Sequence, residues 1–126
     1  MIDRLNNLEH IPGFLTVLGK ITGGDRLIHL SGLVGSSRSL LASWLYQKLS
    51  RTILFISPDQ ESTEKASTDF KAFLGDSSVD LYPSWEIQPY EIRAPHAENI
   101  GDRLKILHDI INGFAKVICV DRKSVV

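Results

Sequence analysis

The run Thr52-Ile53-Leu54-Phe55-Ile56 constrains this chain more than any other stretch. It is apolar and rich in β-branched residues, with no polar alternation. It therefore predicts a strand buried on both faces, the kind found in parallel sheets sandwiched between helices. The flanking sequence agrees. Before it, Ser39 to Ser50 carries Leu40, Leu41, Trp44, Leu45 and Leu49 at helical spacing. After it, Ser57-Pro58-Asp59-Gln60 opens a second helix, with the serine as cap, proline at the first helical position and Gln60 completing a capping box. That helix turns Ala66, Phe70 and Phe73 inward and ends near Gly75.

Further strands are predicted at Leu27 to Leu30, Val79 to Tyr82 and Lys116 to Val120. Glu98 to Asn112 predicts another helix, with Ile100, Leu104, Leu107 and Ile111 on one face and Gly113 at its C-terminal cap. Strands alternating with helices imply an α/β fold, a parallel sheet with flanking helices and right-handed crossovers. Residues 1–25 read as an opening segment in which Leu5, Leu8, Phe14, Leu15 and Leu18 suit helical turns, closed by Gly23 and Gly24. A chain of 126 residues holds one domain with a core and no more.

In such folds ligands sit at the carboxyl ends of strands. The first predicted strand runs into Gly32-Leu33-Val34-Gly35-Ser36-Ser37-Arg38-Ser39. Against the phosphate-loop pattern G-x-x-x-x-G-K-[S/T], Gly32 and Ser39 match, Ser37 replaces the second glycine and Arg38 replaces the lysine. The missing glycine would let the backbone wrap a phosphate. The missing lysine would supply a compact charge that a planar, forked guanidinium does not reproduce. The chain thus reads as P-loop-NTPase-like with a degenerate loop formed by Gly32, Gly35, Ser36, Ser37, Arg38 and Ser39. A helix N-terminus there still favours an anion, but nucleotide hydrolysis is not expected. A plain glycine-serine turn is the simpler alternative. No apolar run ends in paired acids; Asp121 is a single acid after Lys116 to Val120.

A second distinctive stretch, Leu81 to Glu91, places Trp85 and Tyr90 in a loop whose course is fixed by prolines. It reads as a docking surface or as rings that plug the end of the sheet. Asp102 and Arg103, near the start of the last helix, read as surface charges or a local ion pair.

Tyr82-Pro83-Ser84-Trp85-Glu86-Ile87-Gln88-Pro89-Tyr90-Glu91, then Ala94-Pro95-His96, then Asp102-Arg103-Leu104, resembles the pattern of transcription-repair coupling factors. The Gly32 to Ser39 loop resembles that family's degenerate phosphate loop, and Ser57-Pro58-Asp59 the strand end that follows it. The resemblance covers about residues 27–120 and implies that residues 26–120 are a partial domain like the first domain of the UvrB helicase. UvrB itself is more distantly similar. It keeps glycine and lysine where this chain has Ser37 and Arg38, and it carries a long hairpin for which the about ten residues between Glu91 and Asp102 leave no room. A fragment of UvrB is disfavoured on both grounds.

The resemblance implies more. A full coupling factor is an ATP-dependent DNA translocase that removes stalled RNA polymerase and recruits the UvrA repair protein. Its UvrB-like module is non-catalytic, helps form the UvrA-binding region and holds an autoinhibited state. ATP and magnesium belong to motor domains beyond residue 126, so no cofactor or metal is expected in this stretch. The implied partners are UvrA, RNA polymerase and double-stranded DNA through the whole protein, and the missing domains through intramolecular contacts. A small stand-alone P-loop nucleotide-binding protein or phosphotransferase is the alternative.

Composition narrows the remaining choices. A formal net charge of −1 argues against a histone-like or RNA-coating protein. The lone Cys119 permits no internal disulfide and no cysteine-rich metal site. His10, His29, His96 and His108 lack ligand spacing. No stretch approaches the ~20 apolar residues of a membrane span, and the start lacks the basic and apolar regions of a signal peptide. A cytoplasmic protein is expected. The tail Asp121-Arg122-Lys123-Ser124-Val125-Val126 reads, in one frame, as a translated sequencing-library adapter. Residues 121–126 are therefore expected to be non-native, which discounts Asp121 as a catalytic acid; a genuine basic tail is the alternative. A truncated sheet with an open edge is expected to associate or to be marginally stable.

Overall fold

The computed structural model describes residues 5, 7–82 and 97–125. A 3-10 turn at Leu8–His10 precedes helix α1 (Phe14–Thr22) and helix α2 (Ser37–Leu49). Strand β1 (Ile53–Ser57), helix α3 (Gln60–Leu74), strand β2 (Val79–Leu81), helix α4 (Ala97–Ile111), strand β3 (Val117–Asp121) and a closing turn α5 (Arg122–Val125) follow. The strands form one parallel sheet in the order β1-β3-β2, with Ile53 opposite Val117 and Val79 opposite Val117 on its other side. Every residue of the central strand β3 is buried.

The path crosses the sheet out through α3 and back through α4, and a consistent crossover hand puts these helices on opposite faces. Side chains bear this out. Val117 and Cys119 pack with Phe70, Leu74 and Ala66 of α3, and the Phe55 ring meets Phe70 edge-on at 5.0 Å. Asp109 of α4 reaches Lys116, on the face that Ile118 and Val120 share. A second cluster joins the opening segment to α2: Phe14 packs on the buried Trp44, ring centroids 5.4 Å apart, with Leu41 beneath. The opening segment is thus part of the core, and Leu5 is buried in the sheet-side cluster.

The elements fall where the pattern puts them, with four corrections. Leu27 to Leu30 is not a strand: the run is unpaired, and Leu27 is 79% exposed. A strand exists only through its ladder, and this run pairs with none of the three described strands. β1 is not buried on both faces, because Leu54 and Ile56 remain 54% and 51% exposed. The cap of α3 is Asp59, whose Oδ1 accepts from the Ser62 N–H at 2.7 Å; Ser57 instead ends β1, and Gln60 Nε2 donates to Glu64 Oε1. Of the stripe expected inward on α4, Leu104, Leu107 and Ile111 face out, with Leu104 62% and Ile111 83% exposed, while Arg103 and Ile106 are buried. Asp109, on the inward side of the helix, pairs with Lys116 at 3.2 Å. Gly113 does close α4, with φ +80°, and the Phe114 N–H bonds the Asp109 carbonyl at 3.1 Å.

Candidate functional site

The loop before α2 needs glycine at two places. Gly32 has φ +82° and Gly35 φ +56°, conformations costly for residues with a Cβ. Ser37, at the place of the second glycine of the phosphate-loop pattern, is not one of them. It is the first residue of α2 and has no left-handed backbone. The serine there costs nothing in backbone strain, contrary to the sequence argument. Its effect is on hydrogen bonding.

Ser37 Oγ donates to the Val34 carbonyl at 2.6 Å, and Arg38 Nε donates to the Leu33 carbonyl at 3.3 Å. The two residues that depart from the pattern therefore turn back onto the loop's own backbone. Ser36 Oγ donates to Asp69 Oδ2 of α3 at 3.0 Å, which pins the loop to the neighbouring helix. Ser39 is buried in the first turn of α2.

Two clefts meet at Arg38. One, of about 570 Å³, lies between the starts of α2 and α3, and its lining includes Arg38, Lys65 and Asp69. The other, of about 480 Å³, is mostly apolar, lined by Leu30, Leu33, Leu41, Leu45 and Phe55. An anion in the first cleft gains two cations and a helix N-terminus but meets Asp69. Among the described residues no cluster of three metal-ligating side chains occurs.

Of the second predicted locus, Pro83, Trp85, Glu86, Pro89, Tyr90, Glu91 and Pro95 lie outside the described residues. Its flanks are visible. The Tyr82 N–H donates to the Cys119 carbonyl at 2.8 Å, and the guanidinium of Arg103 lies over the Tyr82 ring. Arg103 is 6% exposed, so it is not the surface charge that its neighbours suggest; Asp102 and Leu104 are on the outside.

One grouping escaped the sequence. Lys116 Nζ lies 3.2 Å from both Asp80 Oδ2 and Asp109 Oδ2, linking β2, β3 and α4. Asp80 inside a strand is an odd polar residue, but nothing in the spacing names its partners. Burial draws the Lys116 ammonium down, yet its contacts with Asp109 and Asp80 prevail and hold its pKa above the ordinary lysine value. Burial pushes the Cys119 thiol up to about 12, against a small opposing pull from Lys71.

Over 111 residues, 88% of this chain, the sequence is 30% identical to the transcription-repair-coupling factor of Bacillus subtilis (strain 168), of which it covers 9%. The chain is a homologue of the transcription-repair coupling factor. Similarity extends to the UvrABC system protein B of Clavibacter michiganensis, 25% identical over 63% of the chain and 11% of that protein. The protein of the same name from Tropheryma whipplei is 28% identical over 62% of the chain and 11% of its own length. The similarity to coupling factor and to UvrB is consistent with a UvrB-like module. It spans about a tenth of the length of the curated relatives it matches. No family model and no solved structure matches it. No helix among the described residues is long and apolar enough to cross a membrane.

Proposed function

We propose that this chain is a non-catalytic, UvrB-like scaffold module of a transcription-repair coupling factor and serves DNA repair. The observation that carries the reading is the closure of the loop. Ser37 and Arg38, which replace the glycine and lysine of an active phosphate loop, donate to the Val34 and Leu33 carbonyls. The homology to coupling factor and UvrB supplies the biological setting. In this reading the whole protein is an ATP-dependent DNA translocase that removes stalled RNA polymerase and recruits UvrA. The module contributes to the UvrA-binding region and to intramolecular contacts, while ATP and magnesium act in other domains. Residues 121–126 are read as adapter-derived.

Calorimetric titration with magnesium-ATP and with ADP tests the central point. No binding at millimolar nucleotide is expected. Saturable binding that Arg38→Ala abolishes would favour a small P-loop nucleotide-binding protein instead. An independent read of the genomic DNA across the Val120 codon tests the setting. The frame is expected to continue through helicase motifs, and a stop after Val126 would remove the translocase from the reading.

A further inference from the structure

We infer that Asp69 is a built-in anion for the degenerate loop, and that its carboxylate keeps a free phosphate-type oxyanion from the start of α2. The inference rests on the non-catalytic reading above and gives that reading a residue. A serine at a helix N-cap ordinarily accepts a hydrogen bond from a first-turn amide. Ser36 holds that position on α2, yet it makes no such cap. Its hydroxyl donates instead to Asp69 Oδ2 of α3 at 3.0 Å. The positive end of a 13-residue helix thus meets a carboxylate from 33 residues farther along the chain.

The lining of the adjoining cleft shows what that carboxylate competes with. Arg38, Ser39 and Lys65 line it together with Asp69. Ser39 is 3% exposed, and its hydroxyl has no hydrogen-bond partner among the described residues. Lys65 forms no ion pair with a described residue. Arg38 Nε is bonded to the Leu33 carbonyl, which leaves the two terminal nitrogens of the guanidinium. A buried hydroxyl, two cations and a helix start are donors suited to a tetrahedral oxyanion. Asp69 answers their charge from within the chain. A second anion in the cleft has to share it with a carboxylate that Ser36 holds in place, and like charges so close repel.

Titration of the full chain with inorganic phosphate at neutral pH, followed by phosphorus NMR, tests the inference. The unaltered chain is expected to show no saturable binding at millimolar phosphate. Asp69→Asn keeps the shape and removes the charge. It should bind phosphate at least about tenfold more tightly, and the gain should fade as salt rises. Arg38→Ala or Ser39→Ala in the Asp69→Asn background should abolish it. Asp69→Ala serves as the second variant, since alanine suits a helix interior, and circular dichroism checks that both fold. The inference is overturned if neither variant binds phosphate more tightly than the unaltered chain. It is overturned equally if the gain survives both Arg38→Ala and Ser39→Ala, which would put the phosphate elsewhere. The nucleotide titration of the unaltered chain is a separate measurement, so the non-catalytic reading and this inference fail on different results.

Discussion

The guanidinium carbon of Arg103 lies 4.7 Å from the centroid of the Tyr82 ring. Tyr82 follows β2 and is held to β3 by its N–H, while Arg103 sits on the inward face of α4, so the contact ties one flank of segment 83–96 to the other. A desolvated cation over an aromatic face is worth about 1–2 kcal/mol. Tyr82→Leu is expected to lower the unfolding free energy by about 1 kcal/mol. A double-mutant cycle with Arg103→Met should return a coupling of similar size by urea denaturation. A coupling near zero would mean that the ring and the guanidinium are neighbours without being partners.

Lys116 makes stability depend on alkaline pH. Its folded-state pKa is raised by Asp109 and Asp80 against the opposing effect of burial. A raised pKa contributes stability that is complete below the unfolded lysine value of 10.5 and is lost as pH climbs through the higher folded value. Lys116→Met should therefore flatten the alkaline limb of the stability curve. At neutral pH it should cost about 2 kcal/mol, because Asp80 and Asp109 are left facing each other half-buried. Thermal melts across pH would show both effects, and a variant whose alkaline limb matches the parent's would contradict the assignment.

Local signals were legible where a residue's own neighbours in sequence decide its conformation. The helical spacing of Leu41 and Trp44, the apolar runs of β1 and β3, and Gly113 at the end of α4 all follow from short-range rules. What failed depends on distant groups. Leu27 to Leu30 has the composition of a strand but joins no ladder. The leucines of α4 form as regular a stripe as its inward residues, and the contact of Asp109 with Lys116 on the inward side is one that no periodicity reveals. At the loop, the substitutions Ser37 and Arg38 were readable, but their hydrogen bonds to Val34 and Leu33 were not. Sequence showed what the loop had lost, and only the structure showed what the replacements do instead.

Asp59 gives an acid limb. The Ser62 N–H bonds its carboxylate, the Ser62 side chain adds to this, and together they hold its pKa below the ordinary value of 3.8. A depressed carboxyl pKa contributes stability present above the unfolded value and lost as pH falls through the folded one. Asp59→Ala should lower the melting temperature at neutral pH and weaken the acid dependence. Asp59→Asn keeps a capping oxygen, so it should preserve most of the helix while losing the pH dependence. Ser57→Ala should leave the acid limb as it is, since Ser57 ends β1 and does not cap α3. Circular dichroism melts in acid separate these variants, and an acid limb altered by Ser57→Ala would return the cap to the serine.

Cys119 reports on the opening of the sheet's centre. It is the middle residue of β3, fully buried and packed in the cluster that holds Phe70, Leu74 and Val79. With its pKa pushed up to about 12, chiefly by burial, the thiol stays protonated at neutral pH and unreactive while the sheet is closed. Labelling by a maleimide must therefore wait for β3 to separate from α3, and its rate should fall below that of a small-molecule thiol by the equilibrium constant for opening. Adding urea should accelerate labelling in step with the loss of the circular dichroism signal. Phe70→Ala opens a cavity beside the sulfur and costs about 3 kcal/mol or more; it should raise the labelling rate without denaturant by the factor that matches its loss of stability. If Cys119 in the unaltered chain reacts as fast as a small-molecule thiol and ignores urea, β3 is not the closed centre of this sheet.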